Sequence, residues 1–163
     1  MSDALARACA EAMLAGDRAS IGLGMTLEFV AAGTATLSMA VRPDMVNGLG
    51  ICHGGFLFTL ADSAMAFASN SHGEHAVAQG CNILFVRPGR IGETLRAVAV
   101  ERTRAGRTGL YDVRVTGADG SVVAEFRGQT RSLGTRFFES GQQARAAPAP
   151  IAEFRPFGDT GLG

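Results

Sequence analysis

Residues 47–68 read NGLGICHGGFLFTLADSAMAFA, a glycine-rich loop followed by a long apolar run whose only formal charge is Asp62. On a helix that starts at Gly54, with 100° per residue, the apolar side chains cover an arc of roughly 200°. The remaining arc carries small or polar residues and no lysine, arginine or glutamate. The sequence therefore predicts a helix over 54–70 that is largely enclosed by the rest of the protein.

The aspartate inside this helix requires an explanation. Most aspartates face solvent or cap a helix, but Asp62 lies about two turns past the helix start, where no free backbone N–H groups remain to be capped. Burying a carboxylate is costly unless the charge is paired or used in chemistry. Asp62 is therefore predicted to be a functional carboxylate.

The start of the same helix offers complementary chemistry. The triplet HGG at 53–55 places backbone without bulky side chains at a helix N-terminus, where unpaired N–H groups and the helix dipole favour negative charge. Such a place binds a phosphate, or it holds the oxyanion that develops during acyl transfer. A loop that only turns the chain is the simpler alternative, and a lone histidine is more often structural than catalytic.

Composition restricts the classes of function. The chain has 163 residues, enough for one domain, and its 15 Lys and Arg balance its 15 Asp and Glu. This balance argues against a nucleic-acid or anionic-membrane partner, and no apolar run approaches the roughly 20 residues of a membrane span. Three cysteines without a CxxC pattern suit a reducing compartment, so a soluble cytoplasmic protein is predicted. The stretch HGEH at 72–75 lacks the ligands of a metal site, and none is predicted.

The rest of the chain reads as one helix and a series of strands. Residues 3–15 have helical spacing, 34–41 alternates between apolar and polar side chains, and a strand is expected at about 25–30. Residues 135–163 lose all periodicity and are predicted to be a mostly disordered tail behind one domain at 1–134. Further strands are predicted at about 76–86, 94–104, 108–117 and 121–133, the last two joined by the hairpin signal GADGS.

These elements predict an α+β fold in which an antiparallel sheet covers the long helix. The stretch from residue 47 onward resembles the signature of PaaI-type hotdog-fold thioesterases, in which an asparagine, an HGG triplet and a later Ala-Asp pair lead into the central helix. The similarity continues through CNILFVRPGRIGETL and GLYDVRV to AEFRGQTRSLG, and so covers about residues 10–134. The residues at the motif positions are Asn47, His53, Gly54, Gly55 and Asp62.

The resemblance implies an acyl-CoA thioesterase with a sheet wrapped around its central helix, and subunits that pair edge to edge into dimers and then tetramers. The Gly54 N–H would donate to the thioester carbonyl, and Asp62 would act as general base or as nucleophile. Asn47 would orient water or substrate, and His53 would fix the loop and polarise the site. The implied substrate is a (hydroxy)phenylacetyl-CoA thioester. No cofactor is implied, since coenzyme A is part of the substrate.

The resemblance also implies how coenzyme A is held. Arginines would pair with its phosphates, and glycine-lined backbone would accept the pantetheine arm. Relatives carry an Asn-Asp pair where this chain has Gly16 before Asp17, so one contact near the thioester is absent or replaced. The implied binding residues are Gly55, Arg87, Pro88, Gly89, Thr108, Arg127 and Gly128, with Arg104, Arg107 and Arg131 as further partners for phosphates.

Two other functions remain open. A hotdog dehydratase also pairs a histidine with a helix acid, but there bulky residues and proline follow the histidine and the acid is usually glutamate. A non-catalytic acyl-CoA sensor of this fold usually has a DNA-binding helical extension, whereas this chain has a short N-terminal helix and no basic surplus. Release of free thiol from acyl-CoA distinguishes an enzyme from a sensor.

Helix geometry separates the two predicted catalytic groups. Gly54 and Asp62 are eight residues apart, which at 1.5 Å per residue places them about 12 Å apart along the helix axis. Both must come within about 3 Å of one thioester carbon. The sequence therefore predicts an active site shared by two chains across a two-fold axis.

Overall fold

A computed structural model of the protein describes residues 3–139. Three α-helices, one 3₁₀ turn and six strands make up this part of the chain. The helices are α1 (Asp3–Leu14), α2 (Arg18–Gly22) and α3 (Gly54–Asn70), and the 3₁₀ turn is Pro43–Met45. The strands are β1 (Thr26–Ala31), β2 (Thr34–Ala40), β3 (Glu74–Phe85), β4 (Thr94–Ala105), β5 (Thr108–Thr116) and β6 (Val122–Arg136).

Helix α3 has the predicted bounds and lies against the inner face of the sheet. Most of its predicted apolar arc is buried, while Phe56 and Phe58 near its start are only half-buried. Each fully buried Leu or Phe contributes about 2 kcal/mol through burial. The buried apolar residues of α3 are Leu57, Leu60, Ala61, Ala64, Met65, Phe67 and Ala68. The prediction of an enclosed helix covered by a sheet is confirmed.

The six strands form one antiparallel sheet in the order β1-β2-β4-β5-β6-β3. The predicted hairpin joins β5 and β6, with the Gly117 N–H donating to the Ser121 carbonyl at 3.0 Å. β3 follows α3 in the chain but pairs with the last strand, β6, so β3 is an edge strand of the sheet. No other strand of residues 3–139 covers that edge.

Two parts of the chain differ from the prediction. The short helix α2 was not predicted, and the Asp17 carboxylate caps it by accepting the Ser20 N–H at 2.9 Å. The folded region also extends past residue 134, because β3 begins at Glu74 and β6 runs to Arg136 to pair with it. The remainder of the predicted tail, 140–163, lies outside the described residues. Within the described range, every helix is too short or too polar to cross a membrane.

Candidate active site

His53 fixes the start of α3. Its backbone is extended (φ −61°, ψ 134°), and its Nδ1 accepts the Gly55 N–H at 2.9 Å. Its own N–H donates to the Met45 carbonyl at 2.8 Å, which ties the loop before α3 to the 3₁₀ turn. Because Nδ1 is an acceptor here, a neutral His53 ring carries its proton on Nε2. The histidine therefore acts as the N-cap of the helix.

The Gly54 N–H is left without an acceptor. Of the first three N–H groups of α3, that of Gly55 is bound by the His53 ring, and that of Phe56 donates to the His53 carbonyl at 2.9 Å. Within residues 3–139 no acceptor binds the Gly54 N–H. A free donor at the positive end of a helix dipole favours an anionic or developing anionic oxygen.

A cleft of about 330 Å³ opens beside this donor. Its walls are mostly apolar, and the aromatic ring of Phe85 lies against Gly54, where an added Cβ would meet the ring at 2.8 Å. Asn47 also lines the cleft, and its Oδ1 accepts the Leu49 N–H at 2.9 Å, which leaves the amide NH₂ as its available donor. The lining residues are Asn47, Ile51, Cys52, Gly54, Leu57, Phe85, Val86, Arg87 and Pro88.

Asp62 is a half-buried carboxylate on the side of α3 that faces β3. Burial raises the pKa of this carboxyl group above its ordinary value. No hydrogen bond or ion pair to the carboxylate is found within residues 3–139. Burial raises the pKa of the Cys81 thiol in β3, and the charge of the nearby Asp62 raises that pKa further. An uncompensated, partly desolvated carboxylate is a candidate for acid–base or nucleophilic chemistry.

One chain does not bring these groups together. Gly54 lies against Phe85, at the end of β3, whereas Asp62 lies near Cys81, four residues earlier in the same strand. The predicted site residues at the start of α3 are Asn47, His53, Gly54, Gly55 and Pro88. Asp62 lies apart from them.

Arg87 lines the cleft, but its guanidinium is used within the chain. It donates to Glu93 at 2.6 and 3.2 Å, to Ser121 Oγ at 2.7 Å and to the Pro88 carbonyl at 2.8 Å. This ion pair lowers the pKa of Glu93 and ties the β5–β6 hairpin to the wall of the cleft. Arg87 therefore holds the cleft in shape, and its predicted role as a phosphate ligand is not supported by these contacts.

Two predicted binding glycines pack inside the chain. Gly89 is buried, and an added Cβ would meet Cys52 Cβ at 3.1 Å. Gly128 is buried beneath the sulfur of Met65, which leaves no room for a side chain. The absence of side chains at these two positions is explained by packing of the sheet on α3, and their role beside the pantetheine arm stays a prediction.

The remaining predicted binding residues lie elsewhere on the sheet. Arg127 is exposed and pairs with Asp112 at 2.6 Å. Thr108, Arg104 and Arg107 line a small depression beside His72, at the opposite end of the sheet from Gly54. Arg131 is opposite Thr108 in the pairing of β5 with β6.

The histidines of the HGEH stretch have separate partners. His72 Nε2 lies 2.6 Å from Glu101 Oε2, which also accepts the Tyr111 hydroxyl at 2.7 Å. The ring of His75 stacks on Phe137 with 3.9 Å between the ring centres. In the described part of the chain, no group of three or more His, Cys, Asp and Glu is arranged to hold a metal ion.

Comparison with known proteins identifies the family. The model of the thioesterase superfamily matches residues 49–124. The acyl-coenzyme A thioesterase PaaI of Escherichia coli K12 is 42% identical over 125 residues, which are 77% of this chain and 89% of PaaI. The chain belongs to the thioesterase superfamily. It is a thioester hydrolase of the acyl-CoA thioesterase type that PaaI represents.

Solved structures agree with the hotdog fold of this superfamily. The E. coli PaaI structure, from the phenylacetic acid degradation operon, matches with a TM-score of 0.82 at 40% identity, over 83% of this chain and 99% of its own. A mutant of the phenylacetic acid degradation protein PaaI from Thermus thermophilus matches with a TM-score of 0.69 at 40% identity, over 72% and 100%. An acetyl-CoA-bound Streptococcus mutans protein matches with 0.64 at 27%, over 68% and 91%. The predicted fold and family are confirmed.

The role of His53 as a cap leads to a stability prediction. We expect His53→Ala to lower the free energy of unfolding by about 1 kcal/mol, because the Gly55 N–H loses its acceptor. His53→Asn should retain most of the stability, since asparagine is a favourable N-cap. Urea unfolding at fixed protein concentration measures both. Equal losses in the two variants would show that the ring does more than cap the helix.

Proposed function

We propose that this thioesterase hydrolyses an aryl-acetyl-CoA thioester, such as (hydroxy)phenylacetyl-CoA, to the free acid and coenzyme A. The observation that carries the proposal is the free Gly54 N–H at an apolar cleft, together with the unpaired Asp62 carboxylate. The E. coli and T. thermophilus relatives are both named for phenylacetic acid degradation, which supports an aryl group in the substrate.

In the proposed reaction, the thioester carbonyl oxygen accepts the Gly54 N–H. As the carbonyl becomes tetrahedral, this donor and the helix dipole stabilise the negative charge that develops on the oxygen. The Asn47 amide donates to substrate or water. Asp62 either removes a proton from the attacking water, or attacks the carbonyl to form an anhydride that water then hydrolyses. In the first route the departing thiolate of coenzyme A takes the proton from Asp62, and in the second it takes a proton from water. No cofactor takes part.

The proposed dimer forms through the edge strand β3. Edge strands that do not pair with another chain are usually protected by lysine, proline or a covering segment. The sequence of β3, EHAVAQGCNILF, contains no lysine and no proline. Most of β3 is exposed, and Val77, Leu84 and Phe85 are large apolar side chains that solvent reaches. Antiparallel pairing of two β3 strands satisfies the free backbone N–H and C=O groups of both edges.

This dimer also completes the proposed active site. A two-fold axis across the paired β3 strands makes the two α3 helices run in opposite directions. We place this axis beside Ile83, so that the region of one chain near Cys81, where Asp62 lies, faces the partner's Phe85 end, where the partner's Gly54 lies. Each dimer contains two sites, each with the N–H of one chain and the carboxylate of the other.

We further propose that dimers associate into tetramers through the outer face of the sheet. Leu84 is 63% exposed there, beside the ion pairs that Asp112 makes with Arg102 and Arg127. A face with an exposed apolar residue among charges of both signs is suited to a second copy of itself. A cytoplasmic location is proposed because all three cysteines are free thiols, as a reducing compartment keeps them.

A substrate panel tests the proposed function. We expect phenylacetyl-CoA and hydroxyphenylacetyl-CoA to have higher kcat/KM than palmitoyl-CoA by at least about tenfold, because a cleft of about 330 Å³ fits a single ring rather than a long chain. Thiol release, followed with a thiol reagent, measures each rate. The highest kcat/KM for palmitoyl-CoA would contradict the aryl assignment, and binding of acyl-CoA without thiol release would indicate a sensor.

A further inference from the structure

Phe85 is an aromatic side chain that packs against the start of α3 and is still half exposed. It ends β3 and is 50% exposed, yet its ring lies against Gly54, where an added Cβ would be 2.8–3.3 Å from three ring atoms. The neighbouring Val86 is 54% exposed and lines the same cleft, and an apolar groove of this kind is typical of a binding surface. The ring is thus beside the N–H to which the proposed function assigns the thioester carbonyl.

The surroundings of the ring distinguish the two arms of the substrate. The acyl arm is apolar, whereas the pantetheine arm carries amides that require hydrogen-bonding partners. Beside Phe85 the cleft is lined by the side chains of Ile51, Leu57, Val86 and Pro88. The one charged residue among the nine that line the cleft, Arg87, is neutralised by Glu93. This side of the cleft therefore suits the acyl arm.

Distance supports the same placement. An oxygen that accepts the Gly54 N–H lies about 3 Å from the nitrogen, and the first carbons of the acyl group lie only a few ångströms beyond. The Phe85 ring already touches Gly54, so an acyl group longer than acetyl meets the ring face or edge. Aromatic pairs favour edge-to-face or offset geometry and gain stabilisation beyond that of buried area.

We infer that Phe85 is a specificity-determining residue, whose ring contacts the acyl group and selects an aromatic ring over a saturated ring of the same size. This inference rests on the proposed function, since it assumes that the carbonyl binds at Gly54. It assigns the preference for aryl groups to one side chain and predicts that the preference is lost when that side chain is not aromatic.

The test compares phenylacetyl-CoA with cyclohexylacetyl-CoA in wild type and Phe85→Leu. Both substrates carry the same coenzyme A, so effects on its binding cancel in the ratio of the two kcat/KM values. We expect Phe85→Leu to reduce the phenylacetyl-to-cyclohexylacetyl ratio by about three- to tenfold, the range of an aromatic pair. Leu84→Ala is the matched control, because Leu84 is the preceding residue of β3 and lies on the outer face of the sheet. It should leave the ratio unchanged.

The outcomes separate this inference from the proposed function. If wild type hydrolyses phenylacetyl-CoA well and Phe85→Leu leaves the ratio unchanged, the role of Phe85 is overturned while the proposed function stands. If wild type hydrolyses neither substrate, the proposed function fails and this inference with it. The oligomeric mass of each variant is measured in parallel, because a weakened dimer lowers both rates alike and leaves the ratio as it was.

Discussion

Asp62→Asn is expected to lower thioester hydrolysis by at least about 100-fold, because an amide neither accepts a proton from water nor attacks a thioester. Asparagine keeps the shape of the side chain, so the fold should be retained. The measurement is kcat by thiol release, with circular dichroism to monitor the fold. More than a tenth of the wild-type rate in this variant would make the assignment of Asp62 wrong.

The same substitution is expected to increase stability at neutral pH. Burial raises the pKa of Asp62 above its ordinary value of 3.8, so the folded protein binds this proton more tightly than the unfolded chain does. The stability contributed by the neutral carboxyl group is fully present below pH 3.8 and is lost as the pH rises through the raised pKa. At neutral pH the ionised group is therefore destabilising, and its replacement should raise Tm.

A control separates this effect from a general loss of charge. Asp44 is an exposed aspartate that pairs with Arg42 at 3.0 Å, so Asp44→Asn should leave the rate unchanged and not raise Tm at neutral pH. The increase for Asp62→Asn should disappear at about pH 3, where both the folded and unfolded carboxyl groups are protonated. An Asp62→Asn variant that is inactive but no more stable than wild type would indicate that another group stabilises the ionised Asp62 carboxylate.

The sequence predicted the elements of the fold because their apolar patterns are local. Helix α3 has its predicted bounds, since the glycine pair at its start and 17 residues of helical pattern agree. The order of the strands was not predictable in this way. β3 pairs with β6, which comes last in the chain, and the apolar pattern of β3 does not indicate this partner. The same pairing extends β6 past the expected boundary to Arg136.

Candidate site residues were predictable where one helix fixes them, and less so where tertiary contacts decide. Gly54 and Asp62 follow from the pattern of α3 alone. The arginine and glycine assignments depended on which neighbour each residue meets, and the structure gives Arg87 an ion pair with Glu93 and Gly128 a place under Met65. Phe85 was missed as a site residue, although an aromatic residue at a strand end before Pro88 was a visible signal.

The shared active site is expected to recover from two inactive variants when their subunits mix. Asp62→Ala removes the carboxylate, and Gly54→Pro removes the N–H. The proline substitution suits the backbone, since proline is favoured at the first position of a helix and His53 before it has the extended conformation (φ −61°, ψ 134°) that a residue before proline prefers. Gly54→Ala is the matched control, because it adds a Cβ against Phe85 but keeps the N–H.

Each variant alone should retain at most about 1% of the wild-type rate, whereas Gly54→Ala should lose less than Gly54→Pro if the N–H is the essential group. In a heterodimer, the Gly54 N–H of the Asp62→Ala chain meets the intact Asp62 of the Gly54→Pro chain, and the other site is damaged twice. Random exchange of equal amounts makes half of the dimers heterodimers, so about a quarter of the wild-type activity should return. If each chain instead supplied both groups to its own site, every site in the mixture would still carry one defect. Heterodimers confirmed by mass spectrometry but without activity would therefore rule out the shared site, while leaving the separate roles of Gly54 and Asp62 to be judged from the single variants.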